Sequence, residues 1–179
     1  FELENGITQI IYDGELSNVQ AIQNGSRSNI YGIEIGLTAQ LTTKLKVVTQ
    51  YNFIDGKQKD DYSISMPIRH VPPQFGNLHL VYTNKKIILD GFINYNSEIP
   101  FYKLAQSEID KPYLYALDSN GNPYSPAWYT INLRSNYIIS DKISIVASIE
   151  NIRNKLYRPY SSGISASGIN FIFAINYSM

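Results

Sequence analysis

The sequence predicts an all-β fold, an antiparallel transmembrane β-barrel, from three observations. Apolar and polar residues alternate over segments of about nine to eleven residues, the length that a tilted strand needs to cross a bilayer, whereas soluble strands average about five or six. Short and long connections alternate along the chain, as they do in outer-membrane barrels. Only 17% of the residues are charged, against about 25% in an average soluble domain.

The strongest alternation lies at the end of the chain. Apolar or aromatic side chains occupy every second position, namely Ile169, Phe171, Phe173, Ile175, Tyr177 and Met179. The positions between them are polar or small except for Ile172, so the segment predicts a strand with one apolar face. Taken alone, it also fits a long edge strand of a soluble sheet.

Seven further strands are predicted in chain order. Phe1–Tyr12 alternates weakly and is interpreted as a strand, and the polar segment from Asp13 to Ser28 is interpreted as a loop. Three strand pairs follow, and in each pair apolar residues recur at every second position on both sides of a connection of about three residues, which is hairpin length. The pairs are 29–41 with 45–53, 74–82 with 87–95, and 129–139 with 143–151.

Long connections separate these pairs at 55–73, 98–126 and 153–167. The first ends at Pro72-Pro73, and because proline cannot donate a hydrogen bond within a central ladder, the next strand begins after it. A soluble sandwich has no reason to sort its connections by length. The sorting therefore favours a membrane barrel, with tight turns on one side and long loops on the other.

The opposite faces of these strands are polar and carry charges. The residues predicted to point inward are Glu34, Gln40, Lys46, Gln50, Asn52, Asp90, Arg134 and Glu150. Because a buried unpaired charge is costly, these groups need water, a plug of protein or one another. A wide barrel with a wet or plugged lumen satisfies that need, and so does a small closed barrel with internal ion pairs.

Composition excludes several classes of function. The 179 residues include no cysteine, so disulfides and thiolate metal sites are absent. Fifteen Lys and Arg balance fifteen Asp and Glu without a basic cluster, so nucleic acid is not an expected partner. No stretch approaches the ~18 apolar residues of a transmembrane helix. No nucleophile-base set, phosphate loop or paired catalytic carboxylates are evident, so we expect no enzyme.

Aromatic side chains are concentrated in the long loops, where they can stack on a ligand. The candidate ligand-binding residues are Arg69, His70, Tyr102, Tyr113, Tyr115 and Tyr124. An aromatic girdle at the membrane interface explains Trp128 and Tyr129 equally well.

Metal binding is not predicted, and no cofactor is expected. His70 and His79 are the only histidines, and no carboxylate or second histidine lies at a ligand spacing from either. The segment Asp55–Asp61 has the carboxylates for a calcium ion, but its mixed charge favours a solvated loop. Asp118–Asn122 is interpreted as a turn.

Several segments together resemble the TonB-dependent outer-membrane receptors. The resemblance lies in Ile30–Ile35 (IYGIEI), Arg69–Gly76 (RHVPPQFG), Gly121–Pro126 (GNPYSP) and Glu150–Pro159 (ENIRNKLYRP). Residues 113–118, 121–126 and 128–129 are similar to receptors of this family in Bacteroidetes-type bacteria. The closing strand resembles the family's C-terminal signal, which the barrel-assembly machinery reads.

The resemblance implies that residues 1–179 form the C-terminal portion of a barrel of about 22 strands. The chain begins at Phe1 without an initiator methionine or a leader, as though it were cut from a longer protein, and the family's plug and TonB-contacting region are expected before it. Phe171, Phe173, Ile175, Tyr177 and Met179 would form the assembly signal, although the family usually ends in an aromatic residue. The implied location is the bacterial outer membrane.

The resemblance also implies function and partners. In this family, a small nutrient ligand is captured by external loops and imported by the TonB–ExbB–ExbD complex, which here would act through the missing N-terminal region. An iron-siderophore, haem or cobalamin-type ligand is expected, since the features of the glycan-importing branch are weak; a TonB-dependent glycan importer is an alternative. Other implied partners are outer-membrane lipid and a surface lipoprotein. A free-standing small barrel with a structural or adhesive role, and a soluble β-rich binding domain, are the alternatives from other classes.

Overall fold

The computed structural model describes residues 3–12, 15–24, 28–59 and 64–178. Twelve strands are numbered in chain order. They are β1 (Leu3–Tyr12), β2 (Glu15–Asn24), β3 (Ser28–Gln40), β4 (Leu45–Lys59), β5 (Ser65–Pro67), β6 (Phe75–Thr83), β7 (Ile87–Asn96), β8 (Ala116–Leu117), β9 (Pro123–Tyr124), β10 (Trp128–Ser140), β11 (Ile143–Glu150) and β12 (Asn170–Tyr177). The one α-helical turn within these described ranges is α1 (Gln106–Ile109).

The long strands form one antiparallel sheet in the order β12-β11-β10-β7-β6-β4-β3, and β5 pairs with the far end of β4. Strands β1 and β2 form a separate hairpin, and β8 and β9 form a minimal one within the loop between β7 and β10. Among the described residues, no helix has the length and hydropathy needed to cross a membrane.

One face of the sheet, here called the apolar face, carries the predicted alternating apolar residues. On β3, Ile33 and Ile35 expose 60% and 56% of their surface, and on β12 Phe171 and Phe173 expose 69% and 68%. So much open aliphatic and aromatic surface requires an apolar surrounding. The alternation predicted for both strands is thus confirmed in the structure.

Tyrosines border the apolar face toward the long loops. Tyr51 pairs with Gly76, Gly76 with Tyr95, and Tyr95 with Tyr129, so three phenol rings follow one line across the sheet. Gly76 is needed in this line, because a Cβ there would lie 3.0 Å from the Tyr95 ring and would clash with the carbonyl of Gln50.

A second set of tyrosines, Tyr82, Tyr137 and Tyr177, lies on the same face toward the short turns. Tyr137 follows Tyr129 by eight residues, about 26 Å along the strand and about 20 Å along the membrane normal at a tilt of about 40°. That spacing is close to the apolar band of about 25 Å in outer-membrane barrels. The two sets therefore have the arrangement of aromatic girdles.

The opposite, polar face carries the predicted inward-pointing groups, and several of them contact one another. The Nδ1 atom of His79 lies 3.0 Å from a carboxylate oxygen of Asp90, and the His79 ring stacks on Phe92 with a centroid distance of 4.9 Å. The Arg134 guanidinium lies over the same Phe92 ring and 3.9 Å from Glu150. Some of the charged groups on the polar face are thus paired with one another.

The loop predicted for 13–28 is wrong over Glu15–Asn24, which forms β2 and pairs with β1 from Tyr12 opposite Glu15 to Leu3 opposite Asn24. Its sequence is polar at most positions on both faces, so its alternation carries little signal. The weakly predicted first strand is confirmed as β1.

The loop predicted for 55–73 is also wrong in part. Strand β4 continues to Lys59, and the short strand β5 pairs with its end, Lys57 opposite Pro67. The apolar alternation ends at Phe53, but the backbone ladder with β3 continues to Gln58. A strand that extends beyond the apolar band no longer faces hydrocarbon, so it keeps its hydrogen bonds without the apolar pattern.

Candidate functional site

The three longest connections lie at the same end of the sheet, here called the loop end. Tight turns join β3 to β4, β6 to β7 and β10 to β11 at the other end. In an antiparallel sheet, the connections from β4 to β6, from β7 to β10 and from β11 to β12 must then meet at the loop end. These three connections contain all six predicted ligand-binding residues.

At the centre of the loop end lies a buried carboxylate, Glu108 of α1, with only 2% of its side chain exposed. The short helix follows Leu104 and Ala105, which are 2% and 5% exposed. These two apolar residues anchor the middle of the loop and hold the carboxylate below the surface. A buried carboxylate is costly unless it is paired and hydrogen-bonded.

Glu108 is paired from both other loops. Its Oε1 atom lies 3.5 Å from Nε of Arg69 and 3.2 Å from Nε2 of His70, both in the connection between β5 and β6. The Oγ atom of Ser161, in the connection between β11 and β12, donates to the same oxygen at 3.1 Å. Tyr115, further along the loop of Glu108 itself, donates its phenol hydrogen to Oε2. One carboxylate therefore fastens three loops together, and we call these five residues the Glu108 cluster.

The backbone at His70 supports this arrangement. His70 has a φ of 62°, in the left-handed region that residues other than glycine seldom adopt. The conformation forms the turn that brings the Arg69 and His70 side chains to the same carboxylate oxygen. About half of each side chain remains exposed, 47% for Arg69 and 56% for His70, so both can still reach a ligand.

Two phenols at this carboxylate hold their protons strongly. Burial raises the pKa of Tyr115 and Tyr160, and the neighbouring Glu108 carboxylate raises the pKa of both further. The raised pKa means that folding stabilises the neutral phenol. That stabilisation is complete below the ordinary tyrosine pKa of about 10 and is lost as the pH rises through the higher folded value.

We therefore expect the loop end to tolerate alkali up to pH 10 and to open well above it. The measurement is an ultraviolet titration of tyrosinate in the full-length protein, in which two phenols should ionise last. In Glu108→Gln these two should ionise at lower pH, because the carboxylate no longer opposes the phenolate charge. Two late phenols that titrate identically in both proteins would contradict the assignment.

Aromatic residues line a cavity of about 380 Å³ beside the Glu108 cluster. Tyr113 and Tyr115 form one wall, and a stacked pair, Trp128 and Tyr157 with ring centroids 4.0 Å apart, forms another. The guanidinium of Arg158 donates to the carbonyls of Tyr113 and Leu114, both at 3.1 Å, which fixes the backbone of the first wall. A cavity of this size with stacked aromatic walls suits a flat or ring-shaped group.

Tyr102 belongs to a different cavity of about 590 Å³, between the end of β4 and the segment that follows β7. The neighbouring Lys103 lies 3.9 Å from Asp55, whose carboxylate also accepts a hydrogen bond from Tyr31 at 2.9 Å. Tyr124 lies in β9, where it pairs with Ala116. The structure thus brings Arg69, His70 and Tyr115 together, places Tyr113 next to them, and leaves Tyr102 and Tyr124 apart.

The residues that organise this site carry no recognisable sequence pattern. Glu108, Ser161, Tyr160 and Tyr157 lie in loops without periodicity, where spacing cannot show what meets in space. The adjacent apolar pair Leu104-Ala105 was the one available indication that part of the loop is buried.

The structure shows where the candidate metal-binding residues lie. Within the described ranges, no group of three or more His, Cys, Asp or Glu is arranged to hold a metal ion. Asp55 lies in β4 rather than in a loop, and Asp60 and Asp61 lie outside the described residues. Asp118 accepts the backbone N–H groups of Asn120 and Asn122, both at 2.8 Å, so the predicted turn is confirmed. Those N–H groups lower the pKa of the Asp118 carboxyl.

The proposed assembly residues Phe171, Phe173, Ile175 and Tyr177 follow one side of β12, which forms one edge of the sheet. All four are more than 60% exposed. Met179 lies outside the described residues. Their role as an assembly signal stays a prediction.

A comparison with family models matches residues 3–152 to the family described as TonB dependent receptor-like, beta-barrel. No curated protein sequence matches significantly.

Solved structures similar to this chain include the copper transporter OprC, with a TM-score of 0.72 and 16% identity over 97% of this chain and 26% of that one. The ferric enterobactin receptor PfeA from Pseudomonas aeruginosa has a TM-score of 0.69 and 15% identity over 98% of this chain and 27% of that one. The FrpB iron transporter from Neisseria meningitidis has a TM-score of 0.66 and 15% identity over 88% of this chain and 25% of that one. The chain therefore spans about a quarter of the length of each of these proteins. At these identities, what the chain shares with them is the fold.

Proposed function

The chain belongs to the TonB-dependent receptor β-barrel family, and from that premise we propose that it is the C-terminal portion of an outer-membrane receptor for active nutrient uptake. The family consists of outer-membrane transport receptors rather than enzymes. The observation that carries the proposal is the Glu108 cluster, because it gathers predicted ligand-binding residues at the loop end of the wall. In barrels of this kind, the long loops face the outside.

We infer that the ligand is an iron-siderophore, with haem or a cobalamin-type ligand as the other members of the expected class. Several of the similar structures are siderophore receptors or iron transporters. The aromatic cavity beside the Glu108 cluster suits a chelate with ring-shaped arms, and the half-exposed Arg69 and His70 supply positive or hydrogen-bonding groups next to it. Tyr102 and Tyr124 are proposed as peripheral contacts.

The proposed partners follow from the family. Import would need the TonB–ExbB–ExbD complex, which would act through a region outside these residues. The barrel-assembly machinery would read the closing strand, and membrane lipid would cover the apolar face. A surface lipoprotein is a further proposed partner.

The test uses the complete receptor in a strain that lacks its own copy. Tyr113 is 74% exposed and lines the aromatic cavity without contacting Glu108. We expect Tyr113→Ala to weaken binding of the imported ligand about fivefold, since one aromatic contact is worth about 1 kcal/mol, while the loops stay closed. Binding and uptake would be measured with labelled ferric enterobactin, haemin and cyanocobalamin.

The matched control is Tyr137→Ala, which removes an exposed tyrosine at the opposite end of the same wall. It should leave ligand affinity unchanged. Uptake of none of the three probes would exclude the proposed ligand class, and uptake of a glycan instead would assign the receptor to the glycan-importing branch. An equal effect of Tyr113→Ala and Tyr137→Ala would remove the aromatic cavity from the ligand site.

A further inference from the structure

A groove of about 410 Å³ runs across the apolar face of β10, β11 and β12. Its walls are Leu133, Ile149, Phe171 and Phe173. The surface lining the groove is almost entirely apolar, unlike that of the cavities at the loop end. It lies on the face that meets membrane lipid in this family, away from the ligand loops.

Small side chains create this groove. Ser135 of β10 pairs directly with Ala147 of β11, and Ala147 pairs with Phe173 of β12. The neighbouring row, Leu133 with Ile149 and Phe171, carries large side chains at each position. Two adjacent small residues beside such a row leave a dent in the wall rather than a smooth apolar surface.

A cation lies on the same face, toward the loop end. The guanidinium of Arg153 sits over the Tyr129 ring, 5.0 Å from its centroid, and its side chain is exposed. Among the described residues, no carboxylate lies within ion-pair distance of Arg153. Tyr129 belongs to the line of tyrosines at the loop end of the apolar face, so this charge lies at the level of the membrane interface.

The turn after β11 holds Arg153 in that position. Asn151 is 4% exposed and has a φ of 50°, and its backbone N–H donates to Oδ1 of Asn132 at 2.8 Å. The next N–H, that of Ile152, donates to the carbonyl of Ile131 at 2.9 Å, and Asn154 closes the turn by donating to the Asn151 carbonyl at 2.7 Å. Arg153 therefore sits at a fixed point beside β10 rather than on a free loop.

The distance between cation and groove matches one leaflet. Leu133 and Ser135 follow Tyr129 by four and six residues, which places them about 10 and 15 Å below it at 3.3 Å per residue and a tilt of about 40°. Half of the hydrocarbon core is about 15 Å. An acyl chain that begins at the level of Arg153 thus reaches the groove close to the midplane of the bilayer.

We propose that this wall carries a binding site for a phosphorylated lipid of the outer leaflet. Arg153 contacts the phosphate, which guanidinium groups recognise through paired hydrogen bonds, and an acyl chain occupies the groove at Ser135 and Ala147. The occupant is a lipid rather than a protein, because one cation and one narrow apolar groove, a leaflet apart, match the charge and shape of a single lipid molecule.

The test is lipid binding to the complete receptor in detergent, with bound molecules counted by native mass spectrometry. Phosphatidylglycerol and phosphatidylcholine serve as probes. We expect a preference for phosphatidylglycerol of about fivefold, the contribution of one basic residue near a membrane surface. Arg153→Ala should abolish that preference, and Ala147→Phe, which fills the groove, should weaken binding of both lipids severalfold.

Matched controls are Lys155→Ala, an exposed cation in the same loop, and Ala39→Phe, a small-to-large change on the apolar face of β3. Neither should change binding of either lipid. Equal effects of Arg153→Ala and Lys155→Ala would overturn the headgroup contact, and equal effects of Ala147→Phe and Ala39→Phe would overturn the groove. Displacement of the lipid by inorganic phosphate alone would assign Arg153 to a free anion. Arg153→Gln is the second variant if Arg153→Ala does not assemble.

Discussion

Leu37→Arg should prevent the complete receptor from accumulating as a folded barrel. Leu37 lies on the apolar face of β3, is 57% exposed, and pairs with Thr49, which lies on β4 between the two sets of tyrosines. An arginine facing lipid near the middle of a barrel costs about 2–4 kcal/mol, a large part of a typical folding free energy of about 5–15 kcal/mol. The measurement is the fraction of receptor in the outer membrane that keeps its folded mobility on unheated gels.

Thr38→Arg is the matched control for this prediction. Thr38 lies on the same strand, one residue further on, and belongs to the polar face. An arginine there meets the lumen, so folded receptor should accumulate nearly as in the wild type. Loss of folding with Thr38→Arg but not with Leu37→Arg would show that the two faces have been assigned the wrong way round.

The apolar faces could be predicted from sequence because hydrocarbon imposes one requirement on every strand that crosses it. Every second residue of β3 and β12 had to be apolar, and no other contact competes with that demand. The strand prediction failed where the chain leaves the hydrocarbon and alternation is no longer required. Strand β2 and the end of β4 form backbone ladders with their neighbours, and a ladder leaves little mark on the side-chain pattern.

At the loop end, individual residues could be predicted from the sequence, but the contacts that join them could not. Arg69, His70, Tyr113 and Tyr115 were chosen because loop aromatics and cations suit ligand binding, and the structure places them close to one another. The common partner of Arg69, His70 and Tyr115 could not be predicted, because Glu108 lies 38 residues after His70 and 53 before Ser161. Contacts across such separations depend on how three loops fold over the same strand ends.

The Glu108 cluster also gives the second large prediction, since Glu108→Gln should release the three loops from one another. The change keeps the shape of the side chain but removes the charge that faces Arg69 and His70. Removing one partner of a buried ion pair costs about 3–5 kcal/mol; because the Arg69 and His70 side chains are half exposed, the lower end of that range applies. About 3 kcal/mol corresponds to a rise of about a hundredfold in the open population of the loops.

Hydrogen exchange in the complete receptor measures this opening. Amides in 98–126 and 153–167 should exchange about a hundredfold faster in Glu108→Gln, whereas those of β6, β7 and β10 should not change, because no ladder hydrogen bond involves Glu108. Asp110→Asn, an exposed carboxylate two residues away, is the control and should leave both loops protected. Faster exchange in only one loop would mean that Glu108 stabilises its own segment rather than joining three, and ligand capture would then depend on each loop separately.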